Sequence, residues 1–208
     1  VRVNLHDGHT TSVAPIPDEN GKVRCNDGKC DPAGHLWVGT MGFGAPKGAG
    51  TLYTVSPAGT VTTKLKKVTI SNGIVWSSNK KFMYYNDTPT GKIARYRYDA
   101  DNGDILFDGI AVTLPGGTGV PDGMAIDSDD HLWVAQWGGY GVYCYNPYTG
   151  ELLAKVEVPA PNVASCAFGG KKMDTLYITT ARAGLSEEQL REYPLSGRGF
   201  CCKPGVKG

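Results

Sequence analysis

The segment Asp31-Pro-Ala-Gly-His-Leu-Trp-Val-Gly39 returns 96 residues later as Asp127-Ser-Asp-Asp-His-Leu-Trp-Val-Ala135. Self-similarity at a fixed spacing confines a chain to repeat architectures, because each unit must bury its apolar face against a similar neighbour. Weaker copies run from Trp76 to Tyr85 and from Phe168 to Ile178. Residues 52–59, 96–103 and 142–150 each add a second aromatic run that ends in a glycine turn, which sets a period of about 45 to 50 residues. Within each period, β-branched and aromatic runs alternate with Asn-Gly, Asp-Gly, Pro-Ala-Gly or Thr-Gly, which is hairpin chemistry. Four short strands at this period predict a blade of an all-β propeller.

At about 46 residues per blade, the 208 residues supply about four and a half blades, taken as one domain over 1–208. Val1 to Ala14 reads as the outer strands of a blade, and Phe200 to Gly208 as the opening of another strand. The expectation is therefore a piece of a longer propeller. Ser186-Glu-Glu-Gln189 has the form of a capping box and predicts one short helix between strands.

A net charge of +1 without basic or acidic blocks argues against nucleic acid or a membrane surface as partner. No apolar run approaches the roughly 18 residues of a membrane span. The six cysteines (25, 30, 144, 166, 201 and 202) form no metal-type spacing. Most are expected to be small buried apolar residues in a reducing, cytoplasmic setting, with secretion open if a signal peptide precedes Val1.

One phase of the repeat keeps its position but changes its polar residue. It reads Cys25-Asn26-Asp27-Gly28, Ile70-Ser71-Asn72-Gly73, Val120-Pro121-Asp122-Gly123 and Ala164-Ser165-Cys166-Ala167. His35 and His131, by contrast, fill equivalent slots and are read as structural. Asn-Gly and Asp-Gly are ordinary turn signals, and each of these stretches alone reads as a tight turn. In a propeller, however, residues just before the innermost strands converge at one mouth of the channel. Asn and Asp oxygens gathered there suit a hard dication such as Ca²⁺, Mg²⁺ or Mn²⁺, and Zn²⁺ also accepts Asp oxygen.

Arg24-x-Asn-Asp-Gly-Lys-x-Asp-Pro-Ala-Gly, Ser71-Asn-Gly-Ile-Val-Trp76, Val120-Pro-Asp-Gly-Met124 and Ser165-Cys-Ala-Phe-Gly-Gly170 resemble the regucalcin (senescence marker protein)/gluconolactonase family, which includes luciferin-regenerating enzyme. The resemblance covers about residues 22–208. It implies a six-bladed β-propeller of the regucalcin type, one divalent cation (Ca, Zn, Mn or Mg) at the channel mouth, and hydrolysis of sugar lactones. It assigns Asn72 and Asp122 to the metal, Arg24 and Asn26 to substrate, and Asp122 also to the catalytic base. Two departures stand out. The family's third metal ligand is a Glu in an N-terminal segment that this chain lacks. The substrate-contacting acid of vertebrate members falls near Gly44, within Gly42-Phe43-Gly44, which carries no carboxylate, so loose sugar specificity is expected.

Chemically, a cation that polarises the lactone carbonyl and a carboxylate that takes a proton from water suffice for hydrolysis. Whether Asp122 is base, ligand or both stays open at this level. The alternatives are a non-enzymatic calcium-binding or regulatory propeller, an enzyme of the luciferin-regenerating type, and a phosphotriester hydrolase. The expected partner is a small-molecule lactone; oligomeric state is not legible.

Overall fold

The computed structural model describes residues 1–18 and 21–208 of the chain. A short exposed hairpin, β1 (Arg2–Val3) with β2 (Thr10–Thr11), leads into the repeats. The first antiparallel sheet is β3 (Val23–Cys30), β4 (Leu36–Gly42), β5 (Gly50–Val55) and β6 (Val61–Val68). The second is β7 (Ser71–Trp76), β8 (Phe82–Asp87), β9 (Lys92–Asp99) and β10 (Asp104–Thr113). The third is β11 (Val120–Ile126), β12 (Leu132–Trp137), β13 (Gly141–Tyr145) and β14 (Leu152–Glu157). The fourth has three strands, β15 (Val163–Gly169), β16 (Thr175–Thr180) and β17 (Gly199–Cys202). These are four propeller blades, and their first strands β3, β7, β11 and β15 lie side by side in that order. The expected helix is α1 (Glu187–Glu192) between β16 and β17, with both capping-box bonds formed from Ser186 and Gln189.

Successive blades stack through their alternating faces, since side chains of a strand point to opposite sides with period two. Each junction holds one apolar cluster. Trp37, Leu52, Ile74 and Trp76 join the first blade to the second, with the two indoles edge to face at 5.7 Å. Val75, Tyr84, Leu132 and Val134 join the second to the third, and Trp133, Val142, Cys166 and Leu176 the third to the fourth.

The repeated Asp-x-x-x-His-x-Trp motif has a structural explanation. Asp31 Oδ1 accepts the Ala33 and His35 backbone N–H groups, and its Oδ2 accepts the Trp37 indole N–H at 2.9 Å. Asp127 makes the same bonds to Asp129, His131 and Trp133. Each carboxylate closes the turn between the first two strands and anchors a core indole, so His35 and His131 belong to the scaffold.

Two sequence expectations need correction. Residues 26–28, 71–73 and 121–123 are not turns; they lie inside β3, β7 and β11. There the pairing jumps from Cys25/Thr40 to Gly28/Val38, from Ser71/Asp87 to Ile74/Tyr85 and from Pro121/Gln136 to Met124/Val134. Each jump is a β-bulge, which tilts the strand and re-aims the bulged side chains. The glycines serve close approach rather than turn geometry: a Cβ on Gly73 would sit 2.7 Å from the Asp122 carbonyl oxygen. The second correction concerns the thiols, all of which are free. Cys144 and Cys166 are buried, but Cys25 and Cys30 on β3 and Cys201 on β17 are exposed.

Candidate functional site

The bulges of the first three inner strands open onto one cavity of about 540 Å³. Arg24, Asn26 and Asp27 reach it from β3, Asn72 from β7, Asp122 from β11 and Ser165 from β15. All four residues singled out in the sequence, Arg24, Asn26, Asn72 and Asp122, therefore meet in space, although they span almost 100 residues of chain. Bridges between Met41 and Ile70, and between Trp137 and Asn162, fasten neighbouring blades at the rim.

A line of hydrogen bonds fixes the polar side chains. Arg24 Nη1 donates to Asn26 Oδ1 at 2.9 Å. Asn26 Nδ2 donates to the Ser71 carbonyl at 2.8 Å and to Asn72 Oδ1 at 3.1 Å. Asn72 Nδ2 then donates to Thr88 Oγ1, whose hydroxyl donates to the Pro121 carbonyl, each at 2.8 Å. Asn86 Nδ2 completes the tie by donating to the Asp122 carbonyl at 2.9 Å. Through this line, the amide oxygen of buried Asn72 is held in place and keeps a lone pair, since a carbonyl oxygen carries two. Asn26 is different: its oxygen accepts from the Arg24 guanidinium, whose positive charge lies against it and disfavours a cation there.

Two carboxylates complete the cavity. Burial pushes the Asp122 carboxyl up to about 7, and the Asp27 charge adds to the rise, opposed by the Gly123 N–H. Burial also raises Asp27, against the pull of the Gly28 N–H and of Lys29. Asp27 Oδ1 accepts the Gly28 N–H at 2.7 Å, and its Oδ2 has no protein hydrogen-bond partner among the described residues. Burial lowers the Lys29 ammonium, with Cys166 and Asp27 opposing. Two partly desolvated carboxylates with few donors of their own are poorly stabilised as anions.

Sequence reasoning assigns no role to Asp27 or Thr88, and it offers Ser165 only as a member of the variable phase. Asp27 reads there as turn punctuation, and only the bulge shows that it faces the cavity. Thr88 follows β8 in a 3₁₀ turn (Thr88–Thr90), outside the repeated phase, and carries no signal in the sequence.

A second cluster, Asp127, His131 and Cys144, has ligand-type atoms within 4.8 Å of one another. Its geometry is that of the blade scaffold. Asp127 spends both oxygens on N–H groups as Asp31 does, and Cys144 opposite Trp133 is replaced in the first blade by Thr54 opposite Trp37. Burial pushes the Cys144 thiol up to about 12, and the Asp127 charge adds to this. A thiol held neutral beside a fully bonded carboxylate is a poor ligand set.

The chain is similar to known proteins along most of its length. The model of the SMP-30/gluconolactonase/LRE-like region matches residues 1–182. The Bacillus subtilis protein YvrE, whose name proposes a sugar lactone lactonase, is 37% identical over 194 residues, covering 93% of this chain and 66% of its own length. A Sulfolobus acidocaldarius protein without an assigned activity is 42% identical over 166 residues, covering 80% of this chain and 60% of its own. This chain thus spans less than two thirds of those two relatives. Human regucalcin is 35% identical, covering 99% of this chain and 71% of its own length. Among solved structures, a calcium-binding regucalcin of Agrobacterium tumefaciens superposes with a TM-score of 0.93 at 32% identity, over 99% of this chain and 70% of that one. A luciferin-regenerating enzyme superposes with a TM-score of 0.87 at 33% identity, over 97% and 70%.

Proposed function

The chain belongs to the SMP-30/gluconolactonase/LRE-like family, and from that premise we propose that its cavity is the site of a divalent-metal-dependent hydrolase of lactones, sugar lactones first among them. The observation that carries this reading is the fixed line Arg24–Asn26–Asn72, drawn from two inner strands, beside two half-buried carboxylates, Asp27 and Asp122, facing one cavity. Asn72 Oδ1 and the Asp122 carboxylate would hold the cation. The donor set fits a hard dication: it consists of oxygens only, and the raised Asp122 carboxyl marks an anion that lacks a protein counter-charge. Bound there, Ca²⁺, Mg²⁺, Mn²⁺ or Zn²⁺ supplies a Lewis acid for the lactone carbonyl.

The chain's own residues do the remaining work. The Arg24 guanidinium, exposed at the rim and braced against Asn26, presents its remaining N–H groups to hydroxyl or carbonyl oxygens of a substrate. A cavity carboxylate takes the proton of the attacking water, and Asp122 is the residue the family resemblance nominates. With Gly44 bearing no acid, several lactones rather than one are expected as substrates. Among the described residues no helix is long and apolar enough to cross a membrane, and a small-molecule partner is the proposal that matches the cavity.

Hydrolysis of glucono-1,5-lactone and galactono-1,4-lactone, measured with each cation and with chelator, tests the reading. Metal-restored hydrolysis is the expected result. Calcium binding without hydrolysis of any lactone would favour the second reading, a calcium-binding regulatory propeller, which the similarity to a calcium-binding regucalcin motivates.

A further inference from the structure

The hydrogen-bond register aligns the three bulges residue by residue. Asn26, Asn72 and Asp122 occupy the first bulged position, and Asp27, Gly73 and Gly123 the second. The second position is a tight one. A Cβ on Gly73 would sit 2.6 Å from Asn86 Nδ2 and 2.7 Å from the Asp122 carbonyl oxygen. A Cβ on Gly123 would sit 2.3 Å from Ser165 Oγ. Two blades therefore need glycine where the first blade carries an aspartate. A residue that breaks the rule its own repeats obey, without a packing gain, points to function.

We propose that Asp27 is the proton-transferring carboxylate of the lactone hydrolase and that Asp122 is left to hold the cation. The geometry supports this division. Asp27 Oδ1 is pinned by the Gly28 N–H at 2.7 Å, so the carboxylate is oriented, and Oδ2 is free of protein partners among the described residues. Asp27 and Asp122 line the same cavity from different inner strands, so one can face a water while the other holds the cation. This inference rests on the lactonase reading. In the step, a water O–H bond breaks and its proton goes to Asp27 Oδ2, while the water oxygen bonds to the carbonyl carbon. The ring C–O bond then breaks, and the departing ring oxygen takes that proton, which returns Asp27 to its starting state and releases one hydroxy acid.

The test compares Asp27→Asn, Asp27→Gly and Asp122→Asn in the whole protein, with Mn²⁺ titrated calorimetrically and lactone hydrolysis followed in parallel. For Asp27→Asn the expected result is a fall in kcat of about 10²-fold or more, the usual worth of a general base. Its KM should stay within about threefold and its Mn²⁺ affinity within about tenfold. Asp122→Asn should instead lose Mn²⁺ binding. Asp27→Gly adopts the residue of the other two bulges, so it should fold, and added formate should restore part of its rate. A merely structural Asp27 would not respond to formate. Asp27→Asn keeps over half of wild-type kcat, or loses Mn²⁺ as fully as Asp122→Asn, if the inference is wrong. Wild-type protein that hydrolyses no lactone with any cation would sink the lactonase reading, and this inference with it.

Discussion

Replacing Asp122 by Asn should stabilise the metal-free protein and destabilise the metal-bound one. The Asp122 carboxyl is raised from 3.8 to about 7 by burial and by the Asp27 charge, so its anion costs folding free energy. A rise of that size, at about 1.4 kcal/mol per pKa unit, corresponds to at most about 4 kcal/mol. The cavity is open to water, which screens part of this and leaves about 2 kcal/mol. The sign follows from linkage. A carboxylate whose folded pKa lies above its unfolded value gives full stability below pH 3.8, loses it progressively as pH rises to about 7, and stays at the lower level above that. Asn carries no charge and has no such loss. In chelator at pH 8, Asp122→Asn should therefore melt about 5 °C above wild type, taking about 2–4 °C per kcal/mol for a chain of this size. The gain should vanish near pH 4. With millimolar Ca²⁺ or Mn²⁺ the order should reverse, because binding stabilises only the protein that retains the ligand, by about 2.7 kcal/mol at a hundredfold excess over Kd. Scanning calorimetry at pH 4, 6 and 8, with and without cation, measures all of these. A metal-free mutant that melts below wild type at pH 8, or a pH-independent difference, would refute the reasoning.

Other outcomes test the surrounding geometry. Arg24→Ala, which frees the Asn26 oxygen, should raise KM for lactones by about tenfold while calorimetric metal affinity stays constant; a parallel loss of metal would show that Arg24 acts through Asn26 to position Asn72 for the cation instead. Gly73→Ala must push its Cβ away from the Asp122 carbonyl and Asn86, and should cost about 1–3 kcal/mol by denaturant titration; an unchanged midpoint would show that the bulges are not tightly packed. Cys144→Thr copies Thr54 of the first blade, so stability and metal stoichiometry should be unchanged, whereas a lost binding equivalent would make the Asp127–His131–Cys144 cluster a metal site. Metal binding itself should release protons and weaken below about pH 7, where Asp122 is protonated; pH-independent affinity would separate the cation from Asp122.

The repeat determined the blades. Apolar alternation and turn residues act locally, so the strands and the capped helix could be read from neighbours in sequence, and the scaffold role of His35 and His131 from their equivalent slots in the repeat. The meeting of Asn72 with Asp122 was also legible, because equal phase in a repeat becomes equal height in a propeller. What only the tertiary structure decided was the direction of each side chain. Asn-Asp-Gly has the composition of a turn, and local chemistry alone assigns it to one. It forms a bulge here because strand pairing on both sides outweighs the local preference and because the next inner strand leaves no room for a Cβ at Gly73 and Gly123. The bulge turns Asp27 from apparent punctuation into a half-buried cavity carboxylate, diverts the Asn26 oxygen to Arg24, and brings in Thr88 from outside the repeat. Register and close approach are relations between strands distant in sequence, and they exist only once the blades have packed.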